Sequence, residues 1–343
     1  MSYAGRRRME PEGRRALPLP ALAFLAPLIF LDESAQVGLG GSAPRKLQKD
    51  SVMAVACTEG LDTGFVALGY AKVGFLGIVQ GITELLPISS TAHMRIVPAL
   101  LGWQDPGSAF SAAMQVAALA AVVGYFQADV CGIGLGSLRA MRRRDSQDWN
   151  FRFAVWILLA TLPIVAAGLL LSPILNACHS PLRSLTVIAI ACVVMSGLLA
   201  LAEIYSRHKR TLDHATLKDA MVIGLAQIGA LIPGVSRSGS TLTAALSLDF
   251  RRDEAARFSF LLGLPAIAAA GVLEVWELYK AHLDAHGWAV LSFGLFVASL
   301  SAFAAIWGLL RILERFSAWP FVVYRGLTGV FLFLCVYFGW LQN

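Results

Sequence analysis

Two short apolar stretches of this chain each run into a proline and then into a serine-rich tract that carries ionisable residues. The first reads GIVQGITELLPISSTAH, Gly77 to His93; the second reads GLAQIGALIPGVSRSGST, Gly224 to Thr241. Each has a Gln three residues after its first Gly (Gln80, Gln227), and each breaks at a proline (Pro87, Pro233). The surrounding chain is 57% apolar and only 15% charged, against about 25% charged residues in a soluble domain. Such a chain is an integral membrane protein. Ionisable residues and broken helices are costly at bilayer depth, where they mark substrate sites. A paired copy of such a break constrains the fold more than one alone.

Apolar runs of 110–127, 153–171, 184–204, 257–276, 289–310 and 321–341 approach the roughly 20 residues that a crossing helix needs. The runs 73–86 and 220–232 are shorter and end near a proline, which predicts re-entrant segments. Basic residues cluster at Arg139–Arg144, Arg207–Lys218, Arg251–Arg257 and Arg311–Arg315, while the alternate loops 172–183 and 277–288 carry one Arg and one Lys. The basic loops are therefore expected in the cytoplasm. The first break then enters from outside and the second from the cytoplasmic face. Phe110-Ser111 and Phe258-Ser259 follow the two breaks at nearly equal offsets. The expected fold is all-α: an inverted repeat with about six full spans and two re-entrant broken-helix hairpins meeting near the midplane.

Residues 1–60 differ from the rest. Arg6, Arg7, Arg8, Arg14 and Arg15 precede the apolar run Leu17–Leu31, a pattern like a secretory signal or signal anchor. Pro18, Pro20 and Pro27 make that run a poor span, and Met53 is an alternative start. No chemistry is assigned to this extension, and 61–343 is taken as the membrane catalytic domain. The net charge of +6 resides in the topology signals, so no nucleic-acid partner is expected. The five cysteines form no CxxC and read as apolar fillers.

In the first tract, Gln80 and Glu84 are four apart and share a helix face. Pro87 ends that helix. Ser89, Ser90 and Thr91 suit the cap of a restarting helix, whose free N–H groups and positive dipole end suit an anion. Ser90 and His93, three apart, are expected as neighbours on it. The set holds a hydroxyl nucleophile, an imidazole and a carboxylate. The second tract adds the hydroxyls of Ser236, Ser238, Ser240 and Thr241, the flexible Gly239, and Arg237, whose fork matches phosphate oxygens. Two helix starts, one Arg and a nucleophile point to phosphoryl chemistry. Backbone bonding alone accounts for part of the hydroxyls. The other five histidines fall in expected loops. Arg95 and Arg325, near segment ends, are read equally well as snorkelling cations, and Glu203, Glu274 and Glu277 as interfacial.

At these residues the chain resembles the undecaprenyl-diphosphate phosphatase, or bacitracin-resistance, family. The matching elements are QGITE (Gln80–Glu84), PISSTAH (Pro87–His93) and PGVSRSG (Pro233–Gly239), joined by FSFLLGLP (Phe258–Pro265) and PFVVYR (Pro320–Arg325). The resemblance covers about 65–343. It implies hydrolysis of undecaprenyl diphosphate to the monophosphate, recycling the lipid carrier for peptidoglycan synthesis in the bacterial inner membrane, with the site opening to the outer face and bacitracin competing for the lipid. It also implies a divalent cation, usually Mg²⁺, for which Glu84 is the expected protein ligand, since Gln80 brings no second charge.

The expected catalytic set is Glu84, Ser90, His93 and Arg237, with Gln80, Ser89, Thr91, Ser236, Ser238 and Gly239 binding substrate. Either His93 or Glu84 takes the Ser90 proton; direct attack by activated water is the variant. A phosphatidate-phosphatase reading fails, because its SR-x5-H pattern meets Thr243 here. A polyprenyl-phosphate transporter or flippase is the alternative that an inverted repeat suits.

Overall fold

A computed structural model describes residues 64–175, 182, 184–280 and 282–341. The signal-like run, Met53 and the rest of the expected extension lie outside the described residues. The described residues are helical, with one isolated bridge, between Arg210 and Phe250, and no sheet. In chain order the helices are α1 (Phe65–Leu85), α2 (Ser90–Leu100), α3 (Ser108–Ala113), α4 (Gln115–Tyr125), α5 (Gln127–Arg143), α6 (Trp149–Leu175) and α7 (Leu185–Tyr205). There follow α8 (Leu217–Gln227), α9 (Arg237–Ser247), α10 (Arg252–Lys280), α11 (Ala285–Arg315) and α12 (Trp319–Tyr337).

Six of these are long and apolar enough to cross a membrane: α1, α6, α7, α10, α11 and α12. Their outward faces carry large apolar side chains, such as Leu158, Leu162, Leu169 and Leu170 on α6 and Leu327, Phe331 and Phe333 on α12. Exposed apolar surface on this scale belongs in lipid. The protein is a multi-pass membrane protein.

Two expectations are adjusted. The run expected at 73–86 is the end of a 21-residue helix, long enough to cross by length alone. The helix passes Lys72, whose ammonium lies 5.5 Å from the Trp103 ring centroid, and is kinked at Gly69, φ 70. The span expected at 110–127 is a bent pair: the chain leaves helical geometry at Phe126 and turns by 81° into α5. The following basic segment is therefore helix, with Arg142 and Arg143 in its last turn, where cations complement the helix dipole.

Close backbone crossings fix the two broken segments to long helices. α1 lies on α11, where a Cβ at Gly81 would collide with the Ala298 carbonyl. α8 lies on α6, where a Cβ at Gly224 would collide with the Ala160 carbonyl. Small residues permit such approach where lipid supplies no hydrophobic drive between helices.

Two of the basic segments are tied into the bundle by ion pairs. Arg257 holds Asp129 in a two-pronged bond, Arg252 donates to Glu203, and Arg210 donates to both oxygens of Asp219. Asp219 also completes a capping box with Thr216 at the start of α8. Glu203, expected at the interface, is buried there as an ion-pair partner.

Candidate active site

The two breaks approach differently but end alike, in a serine at positive φ that caps the next helix. Leu86, before Pro87, is extended (φ −71, ψ 146), the conformation that a following proline favours. Ser89 then takes φ 76, and its side chain accepts from the Ala92 N–H to cap α2. In the second tract α8 passes into a 3-10 turn, Ile228–Leu231. Gly234 takes φ 95 and Ser236 takes φ 66, and Ser236 caps α9 by accepting from the Gly239 N–H. A non-glycine residue at positive φ is uncommon; here it is the cap at both helix starts.

The two breaks pack against each other. The Gly234 N–H donates to Thr91 Oγ1 at 3.3 Å. Ser238 Oγ lies 3.2 Å from the Glu84 carbonyl and 3.1 Å from the Leu86 carbonyl. Arg237 Nη2 donates to Glu84 Oε1 at 3.2 Å. An ion pair thus joins the two motifs across 153 positions of sequence.

Glu84 is the hub. Its carboxylate is buried, 8% exposed. Oε2 accepts from Ser90 Oγ at 2.6 Å and from Gln80 Nε2 at 3.0 Å, and Oε1 faces Arg237. A buried carboxylate without such partners would be strongly disfavoured. Ser90 and Arg237 are partly buried beside it.

His93 does not pair with Ser90 as the spacing predicts. Its Nδ1 lies 2.7 Å from the Ser89 carbonyl and is the donor to it. Its Nε2 lies 2.8 Å from the Tyr324 hydroxyl, with the two rings stacked at 5.7 Å. As the first residue of α2, Ser90 is directed back to the last turn of α1 rather than along its own helix.

Among the other expected residues, Thr91 is exposed and Ser236 half-buried. Ser89, Ser238 and Gly239 are buried and bonded to protein groups: Ser89 and Gly239 in the caps, Ser238 in the junction. Tyr324 was missed. It belongs to PFVVYR, but no spacing ties it to the breaks. Arg325 does not snorkel; it is 0% exposed.

Among the described residues no three or more His, Cys, Asp or Glu side chains form a metal cluster. The donor set still fits Mg²⁺, which commonly uses one or two protein oxygens and completes its shell from substrate phosphates and water. Glu84 is one such oxygen donor. Gln80 Oε1 is buried and without a hydrogen-bond partner, which leaves a second oxygen free for such an ion.

Fold and site together define a multi-pass membrane protein of hydrolase character, in which two broken helices bring a serine, a carboxylate and an arginine to one junction. The family model described as bacitracin resistance protein BacA matches residues 73–331, and the chain belongs to that family. An undecaprenyl-diphosphatase 2 of Mesorhizobium japonicum is 73% identical over 263 residues, covering 77% of this chain and 100% of that protein. The undecaprenyl-diphosphatases of Synechococcus elongatus and Gloeobacter violaceus are 46% and 48% identical, covering 78% and 77% of this chain and 93% and 91% of theirs.

Proposed function

We propose that this chain is a membrane phosphatase that hydrolyses undecaprenyl diphosphate to undecaprenyl phosphate and phosphate. The observation that carries the reading is the Ser90 Oγ–Glu84 Oε2 bond of 2.6 Å beside Arg237. Binding or transport alone does not call for a serine held on a carboxylate.

The terminal phosphate lies between the starts of α2 and α9, whose first N–H groups lack intrahelical partners. Arg237 turns from Glu84 to the phosphoryl oxygens as charge builds on them. Ser90 Oγ attacks phosphorus, Glu84 takes its proton, the bond to the lipid monophosphate breaks, and Glu84 passes the proton to the departing phosphate oxygen, which leaves it free to act again as base. Water, deprotonated by Glu84, then attacks the phosphoserine and releases phosphate. His93, bonded at both nitrogens to other groups, orients the start of α2 rather than accepting the Ser90 proton. A divalent cation, held by Glu84 and Gln80 Oε1, would neutralise charge on the phosphoryl oxygens.

The site serves recycling of the lipid carrier at the outer face of a bacterial inner membrane, where bacitracin competes for the same lipid. The alternation of basic and nearly neutral loops along the sequence supports that orientation. In a background cleared of native cysteines, Gly107→Cys should react with an impermeant thiol reagent added to intact cells, and Arg143→Cys should not. The reverse pattern would invert the topology. Purified protein in detergent should release phosphate from undecaprenyl diphosphate, and a chelator should suppress it. Vectorial movement of the lipid in vesicles with no phosphate release would favour the transporter instead.

A further inference from the structure

Broken helices leave two kinds of unsatisfied ends. Their N-termini present N–H groups, which an anion can use; their C-termini present carbonyls, which would repel it. In this molecule the N-termini belong to α2 and α9, and three carbonyls that would also repel an anion, those of Pro87, Gly234 and Val235, lie in the linkers just before those starts. Arg325, on α12, reaches all three. Nη1 donates to the Pro87 carbonyl at 3.2 Å, and Nη2 donates to the Gly234 carbonyl at 2.5 Å and to the Val235 carbonyl. The side chain is 0% exposed, and among the described residues no carboxylate forms an ion pair with it. The partners of its Nη atoms are the carbonyls of both breaks, while Nε is buried without a hydrogen-bond partner.

A second observation narrows the role. At Gly239, in the first turn of α9, an added Cβ would lie 2.5 Å from Arg325 Nη1. The absent side chain leaves room for the guanidinium, so the path of α9 and the seat of Arg325 depend on each other.

We propose that Arg325 is a positioning residue: one guanidinium that binds the carbonyls of both breaks and so sets the spacing of the two helix starts. Through that spacing it holds Arg237 against Glu84 and Ser90, and it turns the repelling carbonyls away from the phosphate. Gly239 is the cleft that admits it. This rests on the phosphatase reading. Phosphate release by the unsubstituted protein tests that reading separately and is measured first.

The experiment is a double-mutant cycle on Gly239→Ala and Arg325→Lys. Lys is shorter and cannot bridge both breaks. Each single variant should lower kcat by about 10²-fold, the scale of an ångström-level misplacement, with KM changed by less than kcat. In the Arg325→Lys background Gly239→Ala should add less than about twofold, because the group it collides with is gone. A protein that merely lost stability would instead show a fall in active fraction, with kcat per folded molecule unchanged. Thermal midpoint and elution in detergent supply that normalisation. Wild-type kcat in either single variant overturns the proposal, as does a double variant whose losses multiply. Should Arg325→Lys fail to fold, Gly239→Ala alone decides: a kcat near that of the unsubstituted protein overturns it.

Discussion

The two breaks share a scaffold and divide a chemistry. Gly77 and Gly224, Gln80 and Gln227, and Ser89 and Ser236 stand at one constant offset in the sequence. The two serines share a positive φ and cap the helix that follows through the N–H three residues on. What differs is what the scaffold displays. At the first helix position one break has Ser90 and the other Arg237. Within the last turn before the break one has Glu84, and the other has Leu231. Gln80 bonds Glu84, while both amide atoms of its counterpart Gln227 are buried without a partner. A doubled structural unit thus yields a single site, with nucleophile and base on one copy and the fixed cation on the other. The inverted orientation of the copies is our reading of the loop charges.

Substitutions at the divided chemistry have the largest expected effect. Ser90→Ala, Glu84→Gln and Arg237→Ala should each lower turnover by about 10² or more, read as phosphate release per folded molecule. Tyr324→Phe, which removes one hydrogen bond to His93, should cost about tenfold. Ser111→Ala, whose hydroxyl bonds the Gly107 carbonyl outside both breaks, should stay near the unsubstituted rate. Near-normal turnover in both Ser90→Ala and Arg237→Ala would end the claim that the two copies make one site.

The shared scaffold is tested by smaller effects. Ser89→Ala and Ser236→Ala should each lower stability by about 1 kcal/mol, the worth of a helix cap. Ser89→Gly and Ser236→Gly should cost only a few tenths of that, because glycine tolerates positive φ. Denaturant midpoints in detergent would read both pairs. A large loss at one break and none at the other would show that the caps are not equivalent.

Much of this was legible from composition and local pattern. The apolar runs announced the membrane, and five of the six expected spans are unbroken helices: α6, α7, α10, α11 and α12. Pro87 and Pro233 marked the breaks, because a proline disfavours helix at the residue before it and here a serine-rich cap follows, whereas Pro98 and Pro265 sit inside helices. A capped helix restart was legible in Ser89, Ser90 and Thr91, and a second helix start in the serine tract from Ser236; the structure decided that Ser89 and Ser236 are the caps. The Gln80–Glu84 pair followed from helical spacing. The breaks, the restarts and this pair are consequences of local geometry, so the sequence alone determined them.

Tertiary structure decided the partners. His93 turned to Tyr324 and Ser90 to Glu84, because the direction of a side chain at a helix start depends on what packs against that start. Nothing local ties Tyr324 or Arg325 to residues more than 200 positions earlier. From sequence, Arg325 reads equally well as a snorkelling cation or a functional one. Only the meeting of α12 with both breaks supplies the carbonyls that make its burial tolerable.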